Sequence, residues 1–213
     1  MNEYAKWYWD KRLDILKSNF ERNRFNVYIS NNKDDAVEKI FSLISLSDSI
    51  GLGGSLTLSE LNIPDLLKNK NYNVINFPDK KLPYETVLEQ RRQSLLSDVF
   101  LTSTNAITSD GYLVNTDYMS NRIAAMMFGP KKVIITAGIN KIVKDTEAAL
   151  WKIRNYTAPQ NCKRLNRDTP CVKTSVYADC HTDSRICCNT SVMGYQGNPK
   201  RMHLIIIKEN LGI

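Results

Sequence analysis

The run KKVIITAG, residues 131–138, is apolar almost without a break, and MHLIII, residues 202–207, repeats the pattern near the far end of the chain. A strand with one wet face alternates apolar and polar residues, whereas a continuous run of this length is what a strand buried inside an α/β fold shows. Segments of helical periodicity supply the cover. Val37, Ile40, Phe41 and Ile44 share one face of a helix predicted over residues 34–46, and the β-prone NVYIS precedes it. The order strand, helix, strand, glycine turn, helix then reads as the opening of a parallel α/β layer.

The remaining elements follow from local chemistry. Tyr4, Trp7, Tyr8, Leu13, Leu16 and Phe20 recur at roughly helical spacing, so residues 1–25 are expected to form an amphipathic helical segment ahead of a main domain over 26–213. A strand is expected over residues 72–77 and a helix over 83–97, with Pro83 tolerated in its first turn. DVFLTSTNAI reads as the start of a hairpin that reverses at Asp110-Gly111. Asp145 can cap the helix TEAALWKIRNYTA, which Pro159 is expected to end. From there to Pro199 the sequence is rich in turns and cysteines, and the last strand follows.

At 213 residues and 42% hydrophobic content, the chain suits one well-packed globular domain. No run approaches the roughly eighteen apolar residues of a membrane span, and MNEYAKWYWDKRLD lacks the apolar core of a signal peptide. A cytoplasmic protein is expected, with its five cysteines reduced and open to metal binding, redox chemistry or burial. The net charge of +7 suits anionic metabolites or an acidic partner protein. The basic residues are dispersed, apart from Lys131-Lys132 and the Lys163, Arg164, Arg167 group, and no nucleic-acid motif accompanies them.

Between Ser49 and Ile63 the chain reads SIGLGGSLTLSELNI. Gly53 and Gly54 let backbone or ligand come close, and Ser55 or Thr57 can cap a helix whose first N–H groups face the turn. That is an anion cradle in outline. The spacing is neither a Walker loop nor a strict GxGxxG, and a tight turn needing glycine for packing alone is the other reading.

Polar residues gather again around the hairpin: Thr104, Asn105, Asp110, Asn115, Asp117, Asn121 and Arg122. Asp117 can act as a base or orient a hydroxyl, Arg122 can fork onto a carboxylate or phosphate, and Glu60 is the other acid near enough in sequence to reach the same cleft. Equally, Asn115 and Asp117 can be loop and helix caps with Arg122 as their structural partner. Lys141 follows the apolar strand, so it can present a charge at the carboxyl edge of the sheet, although most lysines face solvent. No serine-histidine-acid order emerges, and with only His181 and His203 in the chain the sequence argues against a histidine-based hydrolase.

The block TSTNAITSDGYLVNTDYMSNRIAAMMFGPKKVIITAGINKIVKD, followed by RNYTAP, RLNRDTPC, DC and SRIC, resembles the LUD-domain family, which includes lactate-utilization proteins. GLGGSLTLSE fits as well. The resemblance implies a mainly parallel α/β fold, similar to the sugar-phosphate isomerase, CoA transferase and formyltetrahydrofolate cyclo-ligase superfamily, with a ligand at the glycine turn. It also implies a role in lactate oxidation beside iron-sulfur partner proteins. Cys171, Cys180 and Cys187 match recurring family positions, which implies zinc, iron or a redox thiol there. No CxxC pair is present, however, and Tyr177 stands where many relatives have a cysteine. Three functions stay open: an accessory subunit that binds a small anion, a stand-alone enzyme on a phosphosugar, CoA ester or folate-like substrate, and a cysteine-based metal or redox protein. Self-association is compatible with each.

Overall fold

The computed structural model describes residues 2–79 and 81–213. Its helices are α1 (Glu3–Arg22), α2 (Lys33–Ser42), α3 (Leu56–Glu60), α4 (Ile63–Asn69), α5 (Tyr84–Gln93), α6 (Asn121–Met127), α7 (Thr146–Lys152), α8 (Ala158–Arg164) and α9 (Pro170–Thr174). Its strands are β1 (Asn26–Ser30), β2 (Ser49–Leu52), β3 (Asn73–Val74), β4 (Val99–Thr102), β5 (Ala106–Thr108), β6 (Leu113–Asp117), β7 (Lys132–Gly138), β8 (Ile142–Val143), β9 (Asn189–Met193) and β10 (Met202–Ile207). Six of the strands form a wholly parallel sheet in the order β1-β10-β7-β4-β2-β3.

β7 and β10 lie next to each other inside that sheet, and their residues divide between two cores. Val133, Ile135, Leu204 and Ile206 pack with Leu13, Leu16 and Phe20 of α1. Ile134, Ile205 and Ile207 pack on the other side with Ala36 and Ile40 of α2, Leu58 of α3 and Ile63 and Leu67 of α4. Period-2 geometry with apolar residues on both faces is therefore why these two runs carry almost no polar residue. The inner face of α1 is Trp9, Leu13, Leu16 and Phe20, while Tyr4, Trp7 and Tyr8 are exposed. No helix among the described residues is long and apolar enough to cross a membrane.

A second sheet, β8-β5-β6-β9, stands beyond the carboxyl edge of the first. DVFLTSTNAI accordingly does two jobs: β4 belongs to the parallel sheet, and only β5 enters the hairpin with β6, around Asp110 and the positive-φ Gly111. β9 pairs antiparallel with β6 and was not anticipated. The expected 72–77 strand shrinks to two residues at the sheet edge. Pro159 does not end its helix. The chain passes through a π-helical stretch, Ile153–Thr157, and Pro159 falls in the first turn of α8, where its missing N–H leaves no α-helical bond unmade.

Candidate functional site

Because the main sheet is parallel, the ends of β2, β4 and β7 open on one edge, the usual place for ligands in α/β folds. The glycine turn leaves β2, the segment Ser103–Asn105 leaves β4, and a single 3-10 turn, Ile139–Lys141, leaves β7. That turn folds Lys141 back into the protein, leaving it 4% exposed. Its Nζ donates to Ser103 Oγ at 2.9 Å, the Thr104 carbonyl at 3.0 Å and Thr57 Oγ1 at 3.1 Å. Ser103 Oγ in turn donates to Thr57 Oγ1 at 3.2 Å. No carboxylate pairs with this ammonium among the described residues. Burial pulls the Lys141 pKa down to about 7; the charges of Lys152 and Arg122 add to the effect, and Glu60 partly offsets it.

Arg122 is treated differently. Its guanidinium meets Asp117 Oδ1 through Nε at 3.0 Å and Nη2 at 2.5 Å, and Asn105 Oδ1 through Nη2 at 3.0 Å. Nη1 donates to Asn115 Oδ1 at 2.5 Å and to the Ser103 carbonyl at 2.9 Å. The other oxygen of Asp117 accepts the backbone N–H of Ile123 at 3.0 Å, which caps the start of α6, one residue beyond Asn121 and Arg122. Asn115 is fully buried, and its Oδ1 also receives Thr104 Oγ1 at 3.0 Å and Asn105 N at 3.1 Å. Three donors on that atom fix the amide's orientation, and among the described residues Nδ2 finds no acceptor. Thr104 joins the two groups, its carbonyl on Lys141 and its hydroxyl on Asn115.

At the glycine turn, a Cβ on Gly53 would stand 2.5 Å from Thr102 Oγ1, so this glycine is needed for packing, whereas one on Gly54 would meet nothing within 4 Å. Ser55 Oγ accepts Leu58 N at 3.2 Å and caps α3. Glu60 accepts the backbone N–H of Gly212 at 2.8 Å. Gly212, with φ of +64°, lies so close that a Cβ there would be 2.5 Å from Thr57 Oγ1 and 3.3 Å from Lys141 Nζ.

The family model of the LUD domain matches residues 13–207. The chain belongs to the LUD-domain family. A DUF162 family protein from Deinococcus radiodurans shares its fold at a TM-score of 0.50 and 12% identity, over 93% of this chain and 97% of that one. The alpha subunit of a malonate decarboxylase from Acinetobacter baumannii aligns at 0.40 and 11% identity, over 96% of this chain and 39% of its own length. No curated protein matches.

In this LUD domain the cysteines stand apart from the cluster just described. Cys162 and Cys171 are buried with Ile186, and burial pushes the Cys162 thiol up to about 11. Cys180 and Cys187 lie in a loop organised by Arg185, which donates to both of their carbonyls and pairs with Asp179 at 2.8 Å. Among the described residues no three His, Cys, Asp or Glu side chains converge on one point, and that includes Cys171, Cys180 and Cys187. His203 stacks on Tyr28 and bonds its hydroxyl at 3.2 Å. Two members of this candidate site were not singled out from the sequence: Ser103, which bonds Lys141, and Lys152, whose charge acts on it. Ser103 adjoins Thr104 in the chain, and Lys152 precedes the buried Ile153 at the end of α7.

Proposed function

We propose that this LUD-domain protein works in organic-acid, specifically lactate, utilization in the cytoplasm, binding a small anionic metabolite at the carboxyl edge of the main sheet and acting beside iron-sulfur partner proteins. The observation that carries the reading is the excess of positive charge there. Lys141, Lys152 and Arg122 lie near enough for the other two to depress the Lys141 pKa. Asp117 is committed to Arg122 and Glu60 is exposed, so Lys141 is left with neutral partners alone. An anion beside Lys141 relieves that imbalance. Arg122 contributes its field rather than a free fork, since Asp117, Asn105, Asn115 and the Ser103 carbonyl occupy its N–H groups.

Calorimetric titration with lactate, pyruvate and inorganic phosphate tests the reading. Saturable binding of at least one, weakened in Lys152→Ala, supports it. Absence of binding by all three, in a chain whose circular dichroism shows it folded, removes its main support. Copurification with iron-sulfur proteins from native cells tests the partner.

A further inference from the structure

Lys141 has an arrangement that anion binding alone does not require. A structural lysine usually keeps its ammonium in water or against a carboxylate. Here three neutral oxygens surround Nζ, and two of them, Ser103 Oγ and Thr57 Oγ1, are hydroxyls 3.2 Å apart. An ammonium donates to all three, and a neutral amine is satisfied by the same partners: its two N–H groups reach the Thr104 carbonyl and Ser103 Oγ, and its lone pair receives the Thr57 hydroxyl once that hydroxyl turns its proton toward Nζ.

We infer that Lys141 captures a carbonyl: when a small 2-oxo acid occupies the carboxyl edge of the sheet, Nζ adds to its carbonyl carbon and forms an imine. The inference rests on the proposed anion site and deepens it by naming the ligand class. In the first step the amine lone pair forms the C–N bond while the C=O π pair moves to oxygen, which takes up a proton. The hydroxyls of Ser103 and Thr57 accept the proton that nitrogen loses and hand it to that oxygen. Loss of water then breaks the C–O bond and leaves C=N, so amine and carbonyl give imine and water, with no oxidant or reductant consumed. The desolvation that keeps Lys141 partly unprotonated near neutral pH favours the nucleophilic form. Gly212 lies against the amine, held through Glu60 and, with Leu211, through Asn140, so the proposed addition requires this segment to move aside.

The test is reductive trapping. The full chain is incubated at pH 7.5 with pyruvate or glyoxylate and sodium cyanoborohydride, then weighed intact and mapped by peptide mass spectrometry. A surface lysine is unprotonated in only about one molecule in a thousand at this pH, so Lys141 is expected to be labelled roughly tenfold or more ahead of every other lysine. Label at Lys141 should be absent with lactate, which has no carbonyl, and excess lactate should protect against it. In folded Lys141→Arg the fast label should vanish. Label spread over surface lysines, or unchanged in total in Lys141→Arg, overturns the inference. If calorimetry shows pyruvate binding with no adduct at Lys141, the imine fails and the anion site stands; if neither heat nor adduct appears, both fail.

Discussion

Replacing Lys141 with methionine keeps most of the side-chain length and removes the charge, so the variant isolates the cost of a buried, unpaired ammonium. Because its pKa falls from 10.5 to about 7, the lysine binds its proton less tightly folded than unfolded. The unfolded state therefore holds more protons between these values, and the stability of the wild-type chain rises with pH across that window by about 1.4 kcal/mol per unit. Below pH 7 the full penalty is present, on the order of 5 kcal/mol over the whole interval. Methionine escapes this penalty but leaves the Thr104 carbonyl without its donor, a pH-independent loss of about 1–3 kcal/mol. The variant should accordingly be the more stable protein at pH 6.5, and its advantage should shrink by about 2 kcal/mol between pH 7 and pH 9. Urea unfolding of both chains across that range, with reductant present, measures the difference, and groups common to both cancel. A difference that stays constant from pH 7 to pH 9 would show that Nζ titrates near its ordinary value, and the argument from an uncompensated buried charge would collapse.

Arg122→Met should lower stability by about 3–5 kcal/mol, because it strands the nearly buried Asp117 carboxylate; Arg122→Lys should recover little, since one ammonium cannot span Asp117, Asn105 and Asn115 together. Thermal unfolding reads both, and a rescue by lysine would contradict the fork geometry. Gly53→Ala should cost about 1–3 kcal/mol by overpacking against Thr102, whereas Gly54→Ala should change stability by no more than about 0.5 kcal/mol while weakening any anion that sits at the turn. Equal effects at the two positions would refute this division of labour. Dialysed against zinc and then against buffer, the protein should retain less than one metal per chain by elemental analysis, and stoichiometric zinc lost in Cys171→Ser would refute that expectation.

What the amino-acid pattern disclosed is what local physics decides. β7 and β10 were legible because burial on both faces leaves few polar residues in either run, and the Asp110-Gly111 reversal because glycine supplies the positive φ the turn needs. β9 was hidden, since NTSVM buries only Ser191 and Met193 and becomes a strand through pairing with β6, more than seventy residues away. The polar residues near the hairpin were visible as a group, but their partition was not. Asp117 and Arg122 are five residues apart in sequence, which suits either a catalytic pair or a cap and its clamp, and only the backbone of Ile123 shows that the carboxylate is also a helix cap. Lys141 was the least legible. Its burial depends on a 3-10 turn, on Ser103 from another strand end and on Gly212 from a distant part of the sequence, none of which leaves a mark near GINKIVKD.

The contrast between the two buried cations carries one more consequence. Arginine stays charged at any accessible pH, so a protein that buries it must supply anionic and polar partners, and Arg122 has them. Lysine can instead release its proton, so Lys141 is buried with neutral partners and its charge is left to be set by pH and by whatever binds beside it. A carboxylate arriving there raises the pKa again, and by linkage the protein must take up a proton as it binds. With a free value of about 7, that uptake is expected to approach one proton per site for lactate at pH 8 and to vanish at pH 6, where the amine is already charged. Calorimetric titrations in buffers of differing ionisation enthalpy count the protons directly. Lactate that binds at pH 8 with no proton uptake would mean that its carboxylate rests away from Lys141.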